Sequence, residues 1–504
     1  MAATVVAGAA PAEVTFNEHI APVIHGKCSS CHRPGQSGPF SLITYKEVKK
    51  KSGTIEEVLL DRYMPPWKPV NDNVHFANDR RLSEGEIEAF SAWVEAGCPE
   101  GDAAKKPEPP EYPSDWYLGE PDLVVRMQGE FTVPAEGRDI YRSFVFPVNL
   151  PEEKWVKAVE LRPRAKAAMH HALFFIDSER QARKIDGRDG RAGISGMGFL
   201  RREEREGGIG GGRGLGGHVP GAVPALLPGD LAMHLPAGAD VVMQTHFHPS
   251  GKEEVEHAEL AFYFADKPPS KPLIPVQVPP AFGRLAGIDI PAGQADYTVR
   301  DHVVLPADVE AISIGGHAHY ICKEMTMTAT LPGGKEMVLL EIDDWDLDWQ
   351  DRYTFAEPLK LPKGTRIETV LVYDNSAGNP ENPHDPPQRI KWGRESSDEM
   401  GSVTLTVVAA KRGQSEMIER GIRRQTGARA LGAVVAGIRD REKQLSFDYH
   451  DQDDDGKLSW AEVPEAHRKG IFRNFDTDSN RVIEGPEAAA LGKWLEGVRK
   501  RGRR

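Results

Sequence analysis

The spacing of apolar residues changes character along this chain, and the changes divide it into segments. Over residues 14–103 apolar positions recur at helical spacing. In Glu84-Gly85-Glu86-Ile87-Glu88-Ala89-Phe90-Ser91-Ala92-Trp93-Val94 they follow Ser83, a residue type that caps helix N-termini, so this stretch predicts a helix within a compact helical module. The charged, proline-rich run KKPEPPEYPS from Lys105 to Ser114 marks a linker, placed at 104–116. From about 117 to 411, short β-rich runs such as Lys154–Leu161 and Val403–Val408 alternate with Pro/Gly turns, the pattern of antiparallel sandwich sheets. The span is large for one sandwich, so two are expected, over 117–272 and 273–411. The run Gly207-Gly208-Ile209-Gly210-Gly211-Gly212 has no strand-then-helix context and reads as a loop, not a phosphate cradle. Residues 412–440 read as a helical linker, and 441–504 as a separate helical module with a basic tail, Arg499-Lys500-Arg501-Gly502-Arg503-Arg504.

Composition narrows the classes. A chain of 504 residues predicts roughly three or four domains. Apolar (39%) and charged (28%) contents let each domain bury a core, and a net charge of −13 argues against nucleic acid as a partner. No apolar run reaches the about 18 residues a membrane span needs, so none is expected. The start, MAATVVAGAAPAE, is small and mildly apolar but lacks a positive n-region; residues 1–13 read as a leader remnant or a disordered start.

Candidate chemistry begins at Cys28-Ser29-Ser30-Cys31-His32, the attachment signature of a c-type haem. Cys28 and Cys31 would bond the haem covalently, and His32 would supply one axial nitrogen. Such attachment takes place outside the bacterial cytoplasm, which predicts a periplasmic or secreted location. The candidate second axial ligand is Met64 in Arg62-Tyr63-Met64-Pro65-Pro66-Trp67, where paired prolines stiffen the loop; His25 and His75 are rivals. Cys98 and Cys322 are expected as isolated buried thiols rather than as a bridge.

The C-terminal module carries calcium chemistry. Asp451, Asp453, Asp455, Lys457 and Glu462 fall on the ligand positions of an EF-hand loop with Gly456 at its turn, Lys457 ligating through its carbonyl. Asp476, Asp478, Asn480, Val482 and Glu487 repeat the spacing, but Arg481 replaces the turn glycine, so strain is expected there. A pair of EF-hands holding calcium structurally is the reading.

Three histidine pairs remain: His170-His171, His246 with His248, and His317 with His319. Residues i and i+2 of a strand share a face, so the last two pairs can each serve one ion. His170 and His171 can share a metal only at a bulge or strand end. Imidazoles without thiolate suit copper or zinc. Taken with Ala172-Leu173-Phe174-Phe175 after the first pair, with Met243-Gln244-Thr245-His246, with His317-Ala318-His319 and with Ser396-Ser397-Asp398-Glu399-Met400, residues 165–411 resemble the copper type II, ascorbate-dependent monooxygenases, the family of peptidylglycine α-hydroxylating and dopamine β-monooxygenases.

The resemblance implies two jelly-roll sandwiches and two copper ions. His170, His171 and His246 would hold an electron-transfer copper; His317, His319 and Met400 would hold the catalytic copper that meets O2. The whole chain would then be an all-α cytochrome c domain, two antiparallel β-sandwich domains and an α-helical EF-hand module. Its partners would be O2, a small-molecule or peptide-like substrate and an external reductant, with electrons entering through the haem. His248 would either hold a ligand from behind or replace His246, and Cys322 would be a copper neighbour or a buried thiol. The chain departs from the peptide-hydroxylating members, whose substrate-carboxylate clamp falls at Gly315, Ser402 and Thr404 here. A non-catalytic haem/copper electron-transfer or copper-binding protein is the alternative.

Overall fold

A computed structural model describes residues 13–34, 36, 38–111, 116–196, 214–219, 224–284, 286–393, 395–426, 447, 456–460, 462–463 and 465–502. Residues 1–422 form one compact unit and 423–504 another.

The first unit opens with short helices, Ala21–Lys27, Tyr45–Lys50, Ser52–Leu60 and Glu84–Glu95. Ser83 caps the last of these as expected, its side chain accepting from Glu86 N while the Glu86 carboxylate accepts from the Ser83 backbone. Phe16, Ile24, Leu59, Phe90 and Trp93 form the buried centre of this group. The segment after Met64 departs from the expectation of a self-contained module. Val74 and Phe76 belong to the core of the second sandwich, Phe76 stacks on Phe355 at 5.4 Å, and Ala77 N donates to Thr354 O at 2.7 Å.

Two pairs of antiparallel sheets follow, so the unit is β-rich as predicted. In the first pair a five-stranded sheet runs Ile194–Ser195, Ile140–Phe146, Asp240–Phe247, Met169–Asp177, Gly214–His218. Its inner face packs on a four-stranded sheet of Leu123–Arg126, Glu259–Phe264, Lys154–Arg162 and Met233–Leu235, with Phe144, Phe174, Phe247 and Phe262 fully buried between them. The second pair packs Ile274–Val278, Gly401–Ala409, Val309–Ala318 and Arg352–Leu361 on Tyr297–Val304, Arg366–Tyr373, Cys322–Thr330 and Glu336–Ile342. Alternation in Arg366–Tyr373, buried at every second position, puts Ile367, Leu371 and Tyr373 into that core. Cys98 and Cys322 are free and buried, each in a different core.

The glycine-rich run 207–212 lies outside the described residues. Of the expected linker, 415–426 is helical, with Ile418 and Ile422 packed on the second sandwich; 427–440 lies outside the description.

In the second unit, helices Glu465–Phe475 and Gly485–Gly502 flank a loop, and the short strands Leu458–Ser459 and Val482–Ile483 pair. Leu458, Phe472, Ile483, Leu491 and Leu495 form its core. Among the described residues no helix is long and apolar enough to cross a membrane.

Candidate metal centres

Strands Met169–Asp177 and Asp240–Phe247 are hydrogen-bonded neighbours with His171 opposite His246. The register slips between Met169 and His171, so His170 is the extra residue of a bulge. That slip lets two adjacent histidines turn to one side. The Nδ1 atoms of His170 and His171 come within 3.1 Å, and the His246 ring lies 4.8 Å and 5.0 Å from the other two. One ligand nitrogen from each residue fits within 4.8 Å of the others.

Carboxylates set which nitrogen faces inward. His246 Nε2 donates to Asp139 Oδ2 at 2.8 Å and His170 Nε2 to Asp348 Oδ1 at 2.5 Å. His246 Nδ1 is buried with no hydrogen-bond partner. An orphaned imidazole nitrogen turned toward two others is what a metal ligand looks like before the metal is added. Burial, then the neighbouring His246 and His170, holds the His171 pKa well below the usual histidine value, which leaves its lone pair free. Burial alone would raise Asp139, yet hydrogen bonds from His246, His248 and Ser396 hold its carboxyl well below the usual range. The Tyr141 ring stacks on His246 at 4.4 Å. His248 reaches only the far oxygen of Asp139, at 2.8 Å, and is exposed. It therefore stands behind His246 rather than in its place.

The second cluster forms where strand Val309–Ala318 ends beside the start of Gly401–Ala409. His317 pairs opposite Ser402, and His319 follows two residues on. His317 Nδ1 donates to Gln350 Oε1 at 2.8 Å and His319 Nδ1 to Asp398 O at 3.2 Å, so both Nε2 atoms are left unprotonated. His317 Nε2 lies 3.2 Å from Met400 Sδ. Burial, then His317, pushes His319 down to about 3. Glu399 fixes the frame: its Oε1 accepts from His319 N at 2.7 Å and Met400 N at 2.8 Å, and burial pushes its carboxyl up to about 8.

The two clusters face each other across one cavity of ≈ 490 Å³, lined by His171 and His246 on one wall and His317, His319 and Met400 on the other. The second sandwich reaches into the cluster of the first. Asp348, from the second sandwich, grips His170, and Ser396 Oγ donates to Asp139 Oδ2 at 2.9 Å. Sequence reasoning missed Asp139, Asp348 and Gln350, because nothing in their local spacing distinguishes them from surface polar residues. Replacing Asp139 with asparagine should weaken metal binding at His170–His171–His246 by about 10–100-fold, the usual cost of losing a ligand's hydrogen-bond partner. Competition titration against a chelator measures it, and an unchanged affinity would refute the role.

In the helical region, a turn after Ala21–Lys27 brings Cys28, Cys31 and His32 together, with His32 N donating to Cys28 O at 2.9 Å. His32 Nδ1 donates to Phe40 O at 3.1 Å, which leaves its Nε2 available. Burial pushes the Cys28 thiol up to about 12. Met64 is half-buried in the loop that follows Ser52–Leu60, and Leu59 of that helix shares a core with Ile24. Of the two rivals, His25 Nε2 donates to Ile43 O at 3.2 Å, and His75 is an exposed residue whose carbonyl accepts from Ala356 N. Tyr63 packs edge-on against Trp349 at 5.4 Å, one residue from Asp348 and from Gln350. Cys322 Sγ points to Glu324 O at 3.7 Å within its own core, and Cys322 does not line the cavity.

In the second unit Asp476, Asp478 and Glu487 each turn a carboxylate oxygen to a common point. Arg481 takes a positive φ of 66°, the conformation that the missing glycine would adopt without strain. Asn480 accepts from Val482 N at 2.7 Å. Asp451, Asp453 and Asp455 lie outside the described residues. Lys457 pairs with Glu484 at 2.6 Å, and Glu462 accepts from Ser459.

No protein-family model and no curated protein matches this chain. Solved structures give distant likenesses. PNGF-II is 13% identical over 57% of this chain and 65% of its own, with a TM-score of 0.23. The major capsid protein of bacteriophage PM2 is 9% identical over 58% of this chain and 98% of its own, with a TM-score of 0.24. Peptide:N-glycanase F is 9% identical over 57% and 95%, with a TM-score of 0.21. Likenesses this weak assign neither fold nor function.

Proposed function

We propose that this chain is a copper-dependent monooxygenase that hydroxylates a C–H bond with O2, fed with electrons through a covalently attached haem c and located in the periplasm or outside the cell. The observation that carries the reading is the complementary orientation of the imidazoles. His170, His171 and His246 each bring one nitrogen within 4.8 Å of the others, with His246 Nδ1 unpartnered, while His317 Nε2 lies 3.2 Å from the Met400 thioether and the His319 ring 5.5 Å from that of His317. An all-imidazole set supports copper in both oxidation states, and the thioether favours the reduced ion and leaves room for a small ligand. Copper would supply O2 activation and one-electron chemistry at these donors; a haem bound to Cys28 and Cys31, and held by His32 and Met64, would supply electrons.

The chain's own residues do the rest. Asp139, Asp348 and Gln350 fix ring orientation and tautomer. Glu399 ties the His319 and Met400 backbones together, so the thioether and imidazole keep their spacing. Apolar side chains, among them Phe175, Val219 and Phe282, line much of the cavity wall. Asp476, Asp478, Asn480, the Val482 carbonyl and Glu487 suit a calcium ion, and the residue types from Asp451 to Glu462 repeat the spacing in sequence.

The test is metal analysis and optical spectra of purified full-length protein, followed by O2 uptake with a reductant and a panel of C–H substrates. Two coppers, one covalent haem and uptake matched by hydroxylated product are expected. Uptake that ends only in peroxide would make the chain a copper-binding electron carrier and overturn the enzyme reading.

A further inference from the structure

The helix Gly485–Gly502 of the second unit buries one side and leaves another bare. Leu491 and Leu495 belong to the core of that unit. Trp494, beside Leu495 in sequence, is 48% exposed, and its ring rests on Phe475 at 5.8 Å. A second tryptophan, Trp460, is 37% exposed and packs on Phe472 at 4.8 Å. Phe472 and Phe475 lie three apart on helix Glu465–Phe475, and residues at that spacing are neighbours on a helix surface. The two exposed indoles therefore rest on adjacent supports. Among the described residues of 423–504 they are the exposed large apolar side chains.

The charge of this region is basic. Residues 493–504 hold Lys493, Arg499, Lys500, Arg501, Arg503 and Arg504 against one acid, Glu496, in a chain of net charge −13. The first four of these lie within the helix. On the neighbouring elements Lys469, Arg473 and Arg481 are exposed, and the Arg481 guanidinium lies 5.8 Å from the centre of the Trp460 ring. The carboxylates of Asp476, Asp478 and Glu487 converge on a common point, where a cation would neutralise them.

Tryptophan joins an apolar ring to an N–H that stays with water, which suits the headgroup layer of a bilayer. Clustered lysine and arginine are drawn to anionic headgroups. A helix that combines the two lies on a membrane surface rather than across it. The negative charge of the rest of the chain opposes a polyanion that wraps the protein, such as a nucleic acid, whereas a flat anionic layer need meet only this segment.

We propose that the second unit binds a membrane surface rich in anionic phospholipid, with Trp494 entering the headgroup layer and the basic residues of 493–504 supplying the attraction. The proposal uses only the second unit and stands apart from the copper reading.

The test is sedimentation of the full-length protein, with calcium present, against vesicles of phosphatidylcholine alone and of phosphatidylcholine mixed equally with phosphatidylglycerol. The mixed vesicles should bind the protein and the neutral ones should not, and binding should fall as salt rises. Arg499→Gln, Lys500→Gln and Arg501→Gln together should weaken it by roughly 100-fold, about 5-fold for each charge. Trp494→Ala should weaken it separately, and brominated lipid should quench the fluorescence of the wild type more than that of this variant. Equal binding to both vesicle types, no binding at low salt, or binding that survives the triple variant overturns the proposal. Mass that rises with protein concentration in light scattering, without vesicle binding, would overturn it in favour of a second copy of the chain.

Discussion

Replacing Met400 with alanine should abolish O2-dependent product formation while leaving one copper bound. The Met400 Sδ lies 3.2 Å from His317 Nε2 and is the only soft donor in that cluster. Its backbone is held independently, by Met400 N donating to Glu399 at 2.8 Å and Tyr373 OH donating to Met400 O at 3.3 Å, so the truncation leaves the strand start in place. Two imidazoles alone hold copper less well. A direct ligand costs more than the about 10–100-fold lost with a hydrogen-bond partner of a ligand. His170, His171 and His246 share no atom with Met400, so copper there should be retained. Copper content after dialysis and product yield measure both halves. Full activity in Met400→Ala would remove this residue from the site.

Replacing Cys28 and Cys31 together with alanine should eliminate the covalent haem completely, with copper content unchanged. Cys28 is anchored against the helical core rather than in either copper-side sandwich. Oxygen uptake driven by a donor that reduces the haem should fall to background, and uptake driven by a small reductant acting on copper should persist. The junction that would carry this dependence is visible: Tyr63, next to Met64, touches Trp349, which stands between Asp348 on His170 and Gln350 on His317. Absorbance of the denatured protein detects haem that is bound covalently, and uptake with each donor separates the routes. Equal uptake from both donors in the double variant would disprove the haem feed.

How far each layer was legible follows from how local its cause is. The helix after Ser83 and the alternating burial of Arg366–Tyr373 are set by neighbours within a few residues, and both follow from residue pattern. The strain at Arg481 was readable for the same reason, since a loop of that spacing needs a left-handed residue at one position. The candidate ligands were legible as residue types, because imidazole pairs at strand spacing are rare in short stretches of β structure. The docking of Val74 and Phe76 into a sandwich core was not, because a short apolar pair in a loop carries no sign of which surface it will cover.

The sequence by itself determined the order of segments, the residue types able to bind haem, copper and calcium, and the i, i+2 pairing of His317 with His319. Only the tertiary structure decided that His170 sits on a bulge, so that it can join His171, since bulges are set by cross-strand register. It also decided that two clusters from different sandwiches share one cavity, and that Asp139 and Asp348 fix the tautomers within it. The place of His317 opposite Ser402 belongs to that second kind of knowledge, since register is a property of paired strands rather than of either strand alone.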